Sequence, residues 1–399
     1  MKSTIAFLTL LFTLASATTY PRIESWSGDG FFDGFTFPAS TYDNTTNGDV
    51  FWATAQNTSL LYVNDAGRVI LKVDNTTSVV YNDKRYAPKL LSKTAYPPGT
   101  VWVMDAVHMP YGCSVWPAFW TQGLNWPLGG EIDIMEGINQ VTTNQIALHT
   151  EGQGCLASTS NTASFSGTVG QTNCSTAANE DEGCIVTTTD QSSYGEGFAA
   201  AGGGVYVAEY AEDAIRVWFL SREAVPSSLT ANTTSLDTST LGEPVAEYLS
   251  STCDFSTYFT SQILTIDITL CGDFAGVPAL LAETCPALQG DATCYTTYVI
   301  NDQQATYANA YFEINYVAVY QASNASTSST SGSSAATSSV SGSSGATGTI
   351  TAGAGSASAS SSQTSTGAAS GAFRLWMGDG ATWAVLVGAG LLAGMGLAF

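Results

Sequence analysis

Positive charge is scarce in this chain: eleven Lys and Arg stand against thirty-three Asp and Glu among 399 residues, for a net charge of −22. Such a surface repels phosphate backbones, which excludes nucleic acid as a partner and favours a neutral ligand. Histidine is nearly absent, with His108 and His149 the two in the chain, and no Cys-x-x-Cys pair occurs. A zinc site therefore lacks its ligands, and no metal or cofactor is expected. No Gly-x-Ser-x-Gly elbow supports a serine hydrolase. Apolar residues at helical spacing are also rare, which leaves an all-β architecture as the expectation.

The two ends are specialised. Lys2, an apolar run over 5–14 and the small residues Ala15, Ser16 and Ala17 make residues 1–17 a secretory leader. At the other end, 381–399 is apolar and uncharged, preceded by a polar spacer over 373–380 and the small triplet Ser370, Gly371 and Ala372. That order is the signal for a glycosylphosphatidylinositol (GPI) anchor, with lipid attached at Ser370 and residues 371–399 removed. No Lys or Arg follows the apolar run, which disfavours a transmembrane helix. Residues 322–370 are almost wholly Ser, Thr, Gly and Ala, with nothing to bury, and read as an extended O-glycosylated stalk. The expected address is the outer face of the plasma membrane or the cell wall.

Between these ends lies one domain, residues 18–321. Its eight cysteines are an even number on an oxidising route, so disulfides are expected, with their connectivity left open. Asn44, Asn57, Asn75, Asn173, Asn232 and Asn324 each open an N-x-S/T sequon. Short strand-like runs recur at 60–63, 68–73, 101–106, 132–135, 145–149, 204–210, 214–220, 263–270 and 311–320, with turn residues at 64–67 and 125–130 between them. Many strands and long loops indicate a sandwich of the jelly-roll kind. The stretch 151–204, rich in Gly, Ser, Thr and Asn, reads as one long decorated loop edging a cleft. Nine Trp, eighteen Tyr and seventeen Phe supply core rings and flat faces able to stack on sugars.

The chemistry is concentrated in residues 126–139, where Glu131, Asp133 and Glu136 fall within six positions. On a regular strand Glu131 and Asp133 share a face while Glu136 points to the other. A β-bulge near Ile134 and Met135 absorbs the extra residue and returns Glu136 to the acidic face, leaving Ile132, Ile134 and Met135 to the core. Crowded carboxylates raise one another's pKa. A glycosidase uses this crowding, because it needs one ionised carboxylate and one protonated carboxyl flanking the scissile bond.

The segment 116–137, with Trp116, Trp120, Trp126, Gly129 and Gly130 leading into Glu-x-Asp-x-x-Glu, resembles the signature of glycoside hydrolase family 16 in its laminarinase-like branch. The segments 31–37, 67–73 and 271–276 are similar to fungal members too. The resemblance implies a concanavalin-like β-jelly-roll sandwich with a concave glycan cleft, acting as a monomer on β-glucan. It implies Glu131 as nucleophile, Glu136 as acid/base and Asp133 as their assistant. Trp120, Trp126 and His149 are then expected to contact the sugar or the acids, while Trp116 and His108 are expected to be structural. Phe274 stands where relatives often carry Trp, so one stacking platform is smaller. The expected activity is endo-hydrolysis of β-1,3 or mixed β-1,3/1,4-glucan; a wall transglycosylase and an inert glycan-binding module are the alternatives. The longer Glu-x-Asp-x-x-Glu spacing favours hydrolysis, since wall transglycosylases of this family usually show Glu-x-Asp-x-Glu.

Overall fold

The computed structural model describes residues 19–158 and 164–323. The leader, the anchor signal, Asn324, Ser370 and all but the first two stalk residues lie outside the described residues.

Two antiparallel sheets pack face to face. The first runs in the order Ser235–Asp237, Thr19–Trp26, Tyr311–Gln321, Thr100–His108, Gly204–Tyr210, Ala214–Ser221 and Ala246–Leu249, with Val69–Lys72 and Leu61–Val63 branching from Tyr311–Gln321. The second runs Thr168–Val169, Cys184–Thr187, Gln145–His149, Glu131–Glu136, Val115–Gln122, Gln262–Leu270, Lys89–Tyr96 and Phe35–Thr36. The expected β-jelly-roll sandwich is the observed architecture, and each of the nine runs read as strands forms one.

Alternation places the core between the sheets. Phe119, Ile132, Ile134, Met135, Leu148, Leu264, Ile266 and Ile268 from the second sheet meet Trp102, Met104, Tyr206, Ala208 and Tyr210 from the first, all essentially inaccessible to water. Burying each such side chain contributes roughly 1.5–3 kcal/mol. The first sheet is covered on its far side as well, where Val101, Val103, Val205, Val207 and Trp218 pack beneath Leu229, Leu236 and Leu241. The second sheet keeps its outer face open, and the functional residues stand there.

The stretch 151–204 is not one loop. Cys184–Thr187 adds a strand beside Gln145–His149, Thr168–Val169 pairs with it, and Gly195–Ala200 forms a helical turn. The strand's alternating burial rests on two residues, Cys184 and Val186, too short a pattern to stand out among polar neighbours. All eight cysteines are oxidised, as Cys113–Cys285, Cys155–Cys253, Cys174–Cys184 and Cys271–Cys294. A bridge closing a long loop is worth about 2–4 kcal/mol.

Candidate active site

The strand Glu131–Glu136 lies between Val115–Gln122 and Gln145–His149. Glu131 faces Gln122 and His149, and Asp133 faces Trp120 and Ala147. Beyond Asp133 the register slips by one, so that Glu136 faces Ala118 and Gln145. This is the expected bulge. It turns Glu131, Asp133 and Glu136 to the open face while Ile132, Ile134 and Met135 remain fully buried. A bulge leaves backbone groups without ladder partners. The buried Asn144 supplies them: its Oδ1 accepts from Glu136 N–H at 2.9 Å and its Nδ2 donates to Ile134 C=O at 3.1 Å. At the strand's entry Gly130 adopts φ +73°, and a Cβ there would come within 2.4 Å of the Phe259 ring. Only glycine delivers the chain into Glu131 along this path.

Each acid of this strand has its own partner. Trp126 Nε1 donates to Glu131 Oε2. Trp116 Nε1 donates to Glu136 Oε1 at 2.8 Å, and Gln145 Nε2 to its other oxygen at 3.3 Å. His149 Nε2 lies 3.4 Å from Asp133 Oδ2, and its Nδ1 lies 3.3 Å from Asp181 Oδ1. Both are ion-pair distances, longer than a good hydrogen bond. Asp133 Oδ2 is buried and has no hydrogen-bond partner.

The electrostatics follow from this crowding. Burial, reinforced by the Asp133 charge, pushes the Glu136 carboxyl up to about 8, against the pull of Trp116 and His149. Burial and Asp133 also raise Glu131, opposed by the His149 cation and the Trp126 N–H. Burial alone would discharge His149, but its contacts with Asp133 and Asp181 and the nearby Glu131 charge outweigh it and hold the imidazolium well above its usual range. Glu131, Asp133 and His149 bring one donor atom each within 4.8 Å of one another. With both ring nitrogens facing carboxylates, His149 already supplies the cation this trio requires.

The structure corrects the reading of Trp116 and adds Asp267 to it. Trp116, expected in the core, lies on the open face on Glu136, because it shares strand phase with Ala118 and Trp120; Phe274 meets it edge-on at 5.3 Å. Trp120 faces Asp133 across the strands, yet its N–H goes to Asp267 at 2.9 Å. The sequence reading passes over Asp267, although Thr265, Asp267 and Thr269 form a polar phase of the strand Gln262–Leu270. Its other oxygen lies 3.3 Å from Lys89, whose ammonium is held between the Trp52 and Trp120 rings at 5.2 and 5.1 Å. Trp126, 44% exposed, offers a ring beside Glu131. His108 is structural, buried and stacked on Tyr311 with its Nδ1 on that residue's carbonyl.

This geometry has counterparts among known proteins. A probable endo-1,3(4)-β-glucanase of Aspergillus niger is 36% identical over 326 residues, 80% of this chain and 42% of that protein. Most curated relatives it matches are about twice as long as the part it spans. Laminarinase 16A from Phanerochaete chrysosporium, solved with β-glucans in donor and acceptor sites, superposes with a TM-score of 0.69 at 34% identity, covering 76% of this chain and all of that one. An elongating family 16 β-1,3-glucosyltransferase gives 0.68 at 35% identity over the same shares. The model of the XgeA-like catalytic domain matches residues 35–320, which include the bulged strand and every partner of its acids, and the chain accordingly belongs to glycoside hydrolase family 16.

Proposed function

We propose that this glycoside hydrolase is an endo-β-glucanase cleaving β-1,3 and mixed β-1,3/1,4-glucans with retention of configuration. The observation that carries the reading is the bulge, which sets Glu131 and Glu136 on one face of one strand with different partners. Carboxyls so placed suit the spacing of about 5–5.5 Å that covalent catalysis needs, not the wider gap of an inverting pair. Glu131 is the nucleophile by its place at the head of the Glu-x-Asp-x-x-Glu motif, with the His149 cation and the Trp126 N–H opposing the burial and the Asp133 charge that raise its carboxyl. Glu136, held protonated by burial, gives its proton to the departing glycosidic oxygen as Glu131 bonds to the anomeric carbon. In the second step Glu136 takes a proton from water, whose oxygen displaces Glu131 from that carbon. Asp133 lies between them and, through His149, adjusts their charge. The ring faces of Trp120 and Trp126 are the sugar contacts.

The anomer first released decides the mechanism. NMR of fresh digests should show the β-anomer; an initial α-anomer would require inversion and remove both roles. Azide should rescue Glu131→Ala with an activated glycoside to give the α-azide, and Glu136→Ala to give the β-azide. The glucosyltransferase likeness favours a second reading, in which a sugar hydroxyl replaces water in the second step. Products longer than the substrate would establish it.

The leader, the stalk and the small triplet at Ser370 support a secreted protein held on the outer membrane face or in the wall by a GPI lipid. Four disulfides suit an oxidising route. Release by phosphatidylinositol-specific phospholipase C tests the anchor. Among the sequons, Asn44 and Asn232 are exposed, whereas Asn75 and Asn173 donate their amides to Gln304 C=O and Gln153, so the first two are the better acceptors.

A further inference from the structure

The exposed apolar side chains gather mainly in two places. Leu124, Trp126 and Leu128 surround the entry to Glu131; Tyr86 on the small parallel sheet of Val50–Trp52 and Arg85–Ala87, with Tyr42, Val80 and Tyr81 in the segments flanking it, makes a second group. One face of that sheet, carrying Val50, Trp52, Arg85 and Ala87, is buried. Its other face presents the directly opposed pair Phe51 and Tyr86, rings 5.6 Å apart, with Tyr42 bridged to Phe51 on the far side. One row along stand Asp49 and Lys84, 3.4 Å apart. With Asn82, Asp83 and Tyr295 they line an open hollow of about 170 Å³, and Tyr295 in turn contacts Tyr81.

We infer that this face is a second glucan-binding site, separate from the cleft, which holds a chain of the polymer that the cleft cuts. It rests on the β-glucanase reading above. Flat exposed rings alternating with amide, carboxylate and ammonium groups match a pyranose chain, whose C–H faces stack while its hydroxyls seek donors and acceptors. A neutral polymer also suits a protein of net charge −22. The platform is linked to the catalytic face through its buried side. Arg85–Ala87 passes through Pro88 into Lys89, and Trp52, beneath the platform, is one of the two rings that hold Lys89 against Trp120 and Asp267. Rings and cleft therefore share one support.

The test uses the full-length protein carrying Glu131→Ala, which prevents cutting while binding is measured. Retention on insoluble β-1,3-glucan particles should fall about tenfold when Tyr81→Ala and Tyr86→Ala are added. In the otherwise native enzyme the same pair should leave hydrolysis of short soluble laminarioligosaccharides unchanged. Unchanged retention overturns the inference and leaves the face to a protein partner. Asn44→Gln, which removes the acceptor nearest Tyr42, should retain the particles as well as its parent; an equal loss there would make the rings a seat for the chain's own glycan and would also overturn it. An enzyme that cuts no β-glucan of any length defeats the parent reading instead, a result distinct from either.

Discussion

Two clusters of acids in this protein are built from the same residue types and behave oppositely. On the first sheet Glu209, Asp213 and Glu247 converge on Arg216, whose Nη1, Nη2 and Nε stand 2.9, 2.8 and 2.8 Å from one oxygen of each. Glu209 also accepts from the Tyr20 and Thr238 hydroxyls. A planar cation with each of its three nitrogens engaged fixes the charges in place. On the second sheet Glu131, Asp133, Glu136 and Asp267 have two cations among them, and Lys89 is committed to Asp267. Every carboxylate of the first cluster bonds directly to the guanidinium, and the cluster is structural. In the second, burial reinforced by the Asp133 charge keeps a proton on the Glu136 carboxyl up to about pH 8.

If that contrast is right, substitutions in the two clusters have opposite signatures. Glu136→Gln should cost about 10²–10⁴-fold in kcat, the usual worth of a general acid/base, and Glu131→Gln more still. Both should leave the melting temperature equal or higher, because each relieves a crowded set. A clear fall in melting temperature with intact turnover would place them with the Arg216 cluster. Arg216→Ala should do the reverse: stability in urea falls by about 3 kcal/mol, since Glu209 is left buried with its charge unpaired, while kcat is retained.

The pH dependence sharpens the comparison with a smaller effect. Between pH 4.5 and about 8 the folded chain holds the Glu136 proton and the unfolded chain does not. Stability from this group is therefore full below pH 4.5 and is lost as pH rises through the folded value. His149, also raised, adds a loss of the same sign. The melting temperature should drop by roughly 5 °C from about pH 5 to pH 8, and Glu136→Gln should flatten part of the slope. The basic limb of kcat/KM should lie near 8 and move down in Asp133→Asn, because Asp133 is one of the charges that raise Glu136.

The contrast also explains what could be read from the sequence. Glu131, Asp133 and Glu136 were legible with their bulge, because the odd spacing admits a shared face in no other simple way. The strands with clear alternation were legible for the same reason, since period two is a local property. Asn144 was not legible. Its role is to satisfy two backbone groups of a bulge eight and ten residues back, and nothing in its own neighbourhood marks that. Nor were Lys89 and Asp267, which lie on adjacent strands but 178 residues apart in the chain. Trp116 was misread because a ring's strand phase, not its size, decides whether it reaches an acid or the core. Local patterning shows which residues carry charge, whereas the neutralising partner depends on strand order.

The smallest expected effect concerns how the His149 cation is kept in place. Asn179, Glu180 and Asp181 have φ values of 51°, 57° and 68°, three successive non-glycine residues in left-handed backbone. Each costs on the order of 1 kcal/mol, so the turn persists only because its surroundings hold it. Cys174–Cys184 ties its two sides, and Cys184 pairs with Leu148, the residue before His149. The result is a carboxylate 3.3 Å from His149 Nδ1, on the side of the ring away from Asp133. Asp181→Asn should therefore lower the His149 pKa and reduce kcat/KM about threefold, with KM little changed. The effect is modest because Asp181 is 41% exposed and its charge is screened by water. Nitrogen-15 NMR reads the change directly, since His108 is the only other imidazole and is buried on Tyr311. An unchanged His149 titration would show that the turn's strain serves packing alone, and that Asp133 and Glu131 suffice to keep the cation charged.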